Sequence, residues 1–344
     1  MVTVNHVAQK AGVSVGTVSN VLNNNPSVSA ETSGKVLDAI KTLGYQVKAR
    51  RRPYQDPGIR TGAIGFLCVG LSMEALQLPF FVRFISCLES QLASRNLHMI
   101  LAQVPDRSVL PEHLRPHRLD GGFVIGCPGA NILPALRRLN TVGVFGRPLP
   151  GFDWVTTDAS EHGRLAGDYL LGRGHRCLAF LNPDRGHLSF IDYGKSFQET
   201  VAANGVEASM LVAQQEYDRH CMWTQQRYRE VVEELLQGYL SLPVEERPTG
   251  MYVANDEITL VVYQLLAKHG VRVGIDIEII SNDNEQTFLS TLTPQPATIE
   301  PDYEEIARRA VEKVLYRIKH PDAPSGAKLL ISPRLINPNP CEIS

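Results

Sequence analysis

No uncharged apolar run in this 344-residue chain approaches the roughly 18–20 residues that a helical membrane span needs. The opening Met1-Val-Thr-Val-Asn-His has neither a basic n-region nor an apolar h-region, so no export signal is expected and the cytoplasm is the expected compartment. The six cysteines (Cys68, Cys87, Cys127, Cys177, Cys221 and Cys341) include no CxxC pair. In an unexported chain they read as reduced, mostly buried small hydrophobes. Catalytic and metal signatures are missing too. No G-x-S-x-G or Walker-type loop is present, and Gly121-Gly-Phe-Val-Ile-Gly is a strand start rather than a dinucleotide fingerprint. His113 and His117 share an i, i+4 spacing. They lack a Glu in HExxH register, and Pro111 and Pro116 argue against a helix there. No catalytic residue, metal or cofactor is expected.

What is present is an uneven distribution of charge. The net charge of −2 argues against a nucleic-acid partner only as an average. Residues 1–60 hold eight basic side chains (Lys10, Lys35, Lys41, Lys48, Arg50, Arg51, Arg52, Arg60) against three acids (Glu31, Asp38, Asp56), a net of +5 that leaves −7 for the remainder. A small basic module on a larger acidic body suits a protein that touches phosphate with one end. The length is too great for one ordinary core, so two or three domains are expected.

Residues 3–45 read as three short helices. Thr3 can cap the first, which ends at Gly12; Ser14 can cap the second; Ser29 caps a third that closes at Gly44. Val36, Leu37, Ile40 and Leu43 are expected on the inner face of the third. A helix, a tight Gly-containing turn and a second helix form the helix-turn-helix layout. After a Pro- and Arg-containing linker, short apolar runs at 64–69, 98–102, 122–125, 142–145, 177–181, 250–254 and 277–280 read as buried parallel strands. Helical candidates lie between them at 80–95, 131–140, 160–173, 194–204, 223–238, 256–269 and 302–319. This alternation implies an α/β class with parallel sheets covered on both faces.

The run Val13-Ser-Val-Gly-Thr-Val-Ser-Asn-Val-Leu-Asn, preceded by Asn5-His-Val-Ala-Gln-Lys-Ala-Gly, closely resembles the headpiece of the lactose-repressor (LacI/GalR) family. Val28-Ser-Ala-Glu-Thr and Leu43-Gly-Tyr fit its third helix. Asp158 through Gly174-His175, Val253-Ala-Asn-Asp-Glu, and Pro294 to Thr298 resemble segments of the family's body. The resemblance implies a headpiece over 1–46, a hinge over 47–61, and a periplasmic-binding-protein-like body of two lobes. One lobe would comprise 62–158 with 288–322, the other 159–287 with 323–344, with crossings near 158–160, 286–290 and 321–326. It further implies a homodimer on a palindromic double-stranded operator, with a small-molecule effector of the sugar or related-metabolite class between the lobes.

In the second helix Val15, Gly16 and Asn20 face outward, where a recognition helix meets base edges. Asn20 can pair bidentately with adenine, and Val15 can contact a thymine methyl. Ser14, Thr17 and Ser19 can donate to phosphates, although Ser14 also reads as a cap and Thr17 as surface. Thr3, Asn23 and the basic Lys48, Arg50, Arg51 and Arg52 complete the candidate DNA-contact set. Relatives carry a hinge helix resembling N-x-x-A-R-x-L whose Leu wedges into the minor groove. Here Pro53 and Pro57 break it, with Tyr54 near the wedge position.

Effector candidates follow from the resemblance. Leu78-Pro-Phe-Phe matches an N-P-F-F-type loop, giving Phe80 and Phe81. Asn255 and Asp256 end a strand, Arg147 and Asp158 follow two others, and Ser281-Asn-Asp-Asn stands where relatives have G-F-D-D, giving Asp283. For each, loop capping or inter-lobe bracing is the competing role. Tyr193 stands where relatives commonly have a ligand-gripping Arg, so the guanidinium fork is replaced by a ring that could stack on a sugar, or the site could be empty. The C-terminal Ile336-Asn-Pro-Asn-Pro-Cys-Glu-Ile-Ser has no heptads, hence no tetramerising helix. A DNA-binding transcription regulator, more readily a repressor, therefore leads. Alternatives are a regulator with a protein co-repressor or no effector, a transporter's solute-binding protein, and an enzyme on a similar scaffold.

Overall fold

The computed structural model describes residues 2–22, 28–45, 58–71, 75–114, 117–146, 148–214 and 225–338. The chain divides into two compact units, residues 1–53 and 54–344.

The first unit holds three helices, α1 (Val4–Ala11), α2 (Val15–Leu22) and α3 (Ala30–Leu43). Their ends are set by local chemistry. Gly12 and Gly44 terminate α1 and α3 at φ 68° and 62°, the left-handed region where a glycine carries no Cβ penalty. Ser14 Oγ accepts the Thr17 amide at 3.0 Å, and Ser29 Oγ accepts that of Thr32 at 3.3 Å. At Thr3 the reverse half of a capping box forms, with His6 Nδ1 accepting the Thr3 amide at 3.2 Å. Val7, Ala8, Val18, Val21, Val36 and Ala39 make the core. Leu37, expected inside, is 56% exposed, because the inward stripe of α3 runs through Val36 and Ala39.

The second unit contains β1 (Ala63–Val69), α4 (Pro79–Ala93), β2 (His98–Val104), β3 (Gly121–Gly126), α5 (Leu133–Arg138), β4 (Thr141–Val144) and β5 (Trp154–Thr157). These are followed by α6 (Ala159–Gly172), β6 (Leu178–Asn182), α7 (Leu188–Ala203), β7 (Ala208–Val212), α8 (Gln225–Leu240), β8 (Gly250–Val253) and α9 (Asp256–Lys268). Last come β9 (Glu278–Asn282), α10 (Gln286–Leu289), β10 (Ala297–Glu300), α11 (Tyr303–Lys319), β11 (Lys328–Ile331) and β12 (Arg334–Ile336). The strands form two six-stranded sheets, ordered β11-β5-β4-β3-β1-β2 and β12-β10-β9-β8-β6-β7. All pairings are parallel except β10 with β12.

Strand β1 shows why the apolar runs are continuous. Ile64, Phe66 and Cys68 enter one core beneath α4 and α11, whereas Ala63, Leu67 and Val69 enter another beneath α5. Both faces are covered, so no position favours a polar side chain. In the other lobe α6 and α7 pack backbone to backbone: a Cβ at Gly163 would overlap the Tyr193 carbonyl and the Phe197 amide. Of the four described cysteines only Cys68 is buried; Cys87 and Cys127 are half-buried and Cys177 is exposed, which corrects the expectation that they are mostly core.

Strand pairing also moves two lobe crossings. Strand β10 pairs with β9 and so belongs to the second sheet, which puts that crossing at 301–302 rather than 286–290. Strand β11 still pairs with β5 of the first sheet, which puts the last crossing at 332–333 rather than 321–326. The boundaries at 287/288 and 322/323 cut through these pairings. Chain leaves the first sheet for α6 directly after β5.

Candidate DNA-reading face and inter-lobe cleft

Helix α2 turns Val18 and Val21 into the headpiece core. Its opposite face therefore presents Val15, Gly16, Ser19 and Asn20, all exposed, with Val15 at 45%. An apolar side chain left in solvent beside an amide, on a module with a basic balance, offers both thymine-methyl contact and bidentate pairing to adenine. Ser14 and Thr17 are engaged with each other, Oγ to Oγ1 at 2.9 Å, besides the cap bond. Their hydroxyls thus serve the helix start first. Thr3 is exposed at the start of α1. Asn23, Lys48, Arg50, Arg51 and Arg52, and the prolines of the hinge, lie outside the described residues.

In the body, the carboxyl ends of β4, β5, β8, β9 and β10 converge with the first turns of α4, α6 and α11. Phe81 is 3% exposed and belongs to the first lobe's core, while the half-buried Phe80 lies 6.2 Å from the Phe145 ring. Phe145 in turn meets Tyr303 at 6.1 Å. Across the cleft Tyr193 stacks on His162 with ring centroids 4.7 Å apart and lies 6.4 Å from Tyr252. Asp158 caps α6 by accepting the Ser160 amide at 3.1 Å, and Asn255 caps α9 by accepting the Ile258 amide at 2.9 Å. Arg147 lies outside the described residues.

A buried polar chain runs beneath these groups. His162 Nδ1 meets Asn282 Oδ1 at 2.8 Å, and His162 Nε2 meets the Thr157 hydroxyl at 2.9 Å. Asn282 Nδ2 donates to Tyr252 Oη and to the Ala254 carbonyl. Because Asn282 Oδ1 accepts, the ring donates from Nδ1 and accepts the Thr157 hydroxyl at Nε2 as a neutral imidazole, in preference to that hydroxyl's longer 3.4 Å approach to the Ile331 carbonyl. Burial pushes His162 down to about 4, in keeping with that neutral form. Asp256, 0% exposed, takes the Ser281 and Thr298 hydroxyls and the Glu285 amide. Burial pushes its carboxyl up to about 7 despite those bonds. Asp283 is raised well above the usual carboxylate range by burial and by the carboxylates of Asp256 and Glu285. Burial raises the phenols of Tyr193 and Tyr303 well above normal, with Asp283 contributing to both.

The model for bacterial regulatory proteins of the lacI family matches residues 3–47, and that for the periplasmic binding protein-like domain matches residues 168–337. The chain thus joins a lacI-family DNA-binding domain to a periplasmic binding protein-like domain. Among curated relatives, the HTH-type transcriptional repressor PurR of Mannheimia succiniciproducens is 27% identical over 332 residues, covering 94% of each chain. The HTH-type transcriptional regulator GanR of Bacillus subtilis is 26% identical over 93% of each, and the ribose operon repressor of Haemophilus influenzae is 25% identical over 94% of this chain and 93% of its own. The Lac repressor dimer bound to operator and the anti-inducer ONPF superposes with a TM-score of 0.73 at 20% identity, covering 98% of each chain, which shows a shared fold. Among the described residues no helix is long and apolar enough to cross a membrane, and no group of three His, Cys, Asp or Glu could hold a metal ion.

Phe80 packs against Phe145 and Phe81 is in the first lobe's core, Tyr193 is buried in the second lobe's core against His162, Asp283 follows β9, and Asp158 and Asn255 are engaged as caps. Asp256 braces the second lobe internally. The candidates drawn from the sequence omit Arg83, His162, Asn282 and Tyr303. Arg83 Nη2 donates to Glu300 Oε1 at 2.6 Å, across 217 residues of chain. No periodicity or local motif signals a pairing of that separation.

Proposed function

We propose that this chain is a sequence-specific transcription repressor that binds a palindromic operator as a homodimer and has no catalytic role. Its operator affinity responds to a small molecule of the sugar or related-metabolite class held between the two lobes. It acts in the cytoplasm, at the bacterial nucleoid. The observation that carries the reading is the outward face of α2, with Val15 at 45% exposure beside the exposed Asn20 on a folded three-helix unit. Names of relatives point the same way: the repressors of the ribose operon and PurR align over nearly the whole chain. The regulator bound to cellobiose, CelR, shares the fold at a TM-score of 0.64.

On the ligand side, support comes from the aromatic rings of Phe80, Phe145 and Tyr303 on the first lobe and of Tyr193 and Tyr252 on the second, with Asp283 as a nearby polar candidate after β9. Selection of the full-length protein against random duplexes tests the function. A palindromic site whose affinity falls linearly with log salt is expected. Sequence-indifferent binding, or a monomer by sedimentation at micromolar concentration, contradicts it.

A further inference from the structure

Arg83 stands on α4 of the first lobe, yet its four hydrogen bonds all end on the second. Nη1 donates to the carbonyls of Asp283 and Asn284 at 2.9 and 3.1 Å and to Glu285 Oε1 at 3.3 Å, and Nη2 donates to Glu300 Oε1 at 2.6 Å. Its guanidinium also lies 4.9 Å from the Tyr303 ring centroid. Glu300 is a hub, taking Asn284 Nδ2 at 3.0 Å and Arg334 Nη2 at 3.1 Å besides. The two carbonyls reach one guanidinium because Asp283 and Asn284 adopt φ of 99° and 51°. Non-glycine residues hold such angles only where their surroundings fix them. Here Arg83 holds the segment from one lobe. The Thr298 hydroxyl, accepting the Asn284 amide, and Asp256, accepting that of Glu285, hold it from the other. A cavity of about 420 Å³ beside Arg83, Glu300, Tyr303 and Arg334 leaves this junction accessible from outside.

We propose that Arg83 is an inter-lobe latch that ties the first lobe to the 283–285 segment of the second and is the positioning residue for Asp283. The planar fork matters, because two carbonyls and two carboxylates are engaged at once, which a lysine cannot do. Regulation of the body then turns on keeping or breaking this hub. The inference rests on the reading of the body as an effector domain.

Amide hydrogen exchange of the full-length protein without DNA tests the latch independently of operator binding. Arg83→Met is expected to speed exchange at residues 283–285 by about tenfold or more while α4, which carries the substitution, stays protected. Arg83→Lys restores protection in part. Glu300→Gln, made on the other lobe, gives the same pattern, and the double variant adds little to either single one. Arg164→Met, which removes a surface pair with Glu161 and Asp168, leaves these amides unchanged. Should Arg83→Met loosen α4 itself, Glu300→Gln decides the matter. Unchanged exchange at 283–285 in Glu300→Gln, with Arg83→Met either unchanged there or loosening all of the first lobe, overturns the latch. Failure of the wild type to select an operator, with the exchange result intact, would instead remove the regulatory reading.

Discussion

The headpiece and the cleft place their working groups in opposite ways. In the headpiece, a core of six small residues buries one side of each helix, and the candidate reading residues are what remains in solvent. Each can be changed with little effect on the fold beneath it. In the cleft, the corresponding groups are woven into the lobe structure. His162, Asn282 and Asp256 are fully buried, and Arg83 joins segments about 200 residues apart. A substitution there alters stability, titration and inter-lobe contact together. Recognition of a rigid duplex needs an exposed, prefixed surface, whereas control needs groups whose contacts depend on how two lobes meet.

The largest effect expected from breaking this contrast comes from Val18→Asp. A charge in a core this small has no partner and costs about 4 kcal/mol or more. Loss of all specific DNA binding is expected, with the melting transition of the body unchanged because each unit is compact in itself; a lowered body transition would show that they do not fold independently. Gly163→Val acts in reverse. Its side chain would drive apart α6 and α7, costing about 3 kcal/mol in the body by calorimetry while the headpiece keeps its helical content.

Titration sharpens the comparison further. His162 titrates near 4 when folded against an ordinary 6.5, so the unfolded chain binds the proton more readily in that window. The stability due to its neutral form is complete above pH 6.5 and is lost as pH falls toward 4, by about 3 kcal/mol at most. His162→Gln should flatten the fall of stability over this window in denaturant titrations. Asp256, raised to about 7, has the opposite sign, with stability declining as pH rises from 3.8 to 7. It is present in both proteins and cancels in the comparison. An identical pH dependence in the variant would show that His162 is not held neutral. The smallest effect is Ser14→Ala, which removes a cap bond and should cost the headpiece about 1 kcal/mol, read from its own thermal transition; a loss several times larger would mean that the hydroxyl carries more than the cap.

The same contrast explains what was legible in the sequence. Caps at Ser14 and Ser29 and stops at Gly12 and Gly44 act within four residues, so local chemistry locates α1–α3. The long buried runs announced β1, β3, β6, β8 and β9 for the same reason. Strands β5 and β10 end on polar residues, Thr156-Thr157 and Glu300, and β11 opens on Lys328, so none reads as an uninterrupted apolar run, and the lobe crossings at 301–302 and 332–333 depend on pairings that only the folded chain reveals. Resemblance singled out Asp283 and Tyr193 as effector candidates. It could not locate the Arg83 hub, whose partners are defined by contact alone, whereas the capping offered as the competing role for Asp158 and Asn255 is what the structure shows.

Under the proposed function, α2 is the element that reads DNA. The most direct measurement is the binding-site selection profile of Asn20→Ala beside that of the wild type. A bidentate contact to one base pair in each half-site predicts relaxed preference at two symmetry-related positions, with about 1–3 kcal/mol of discrimination lost and the other positions retained. A profile identical to that of the wild type at every position would contradict it.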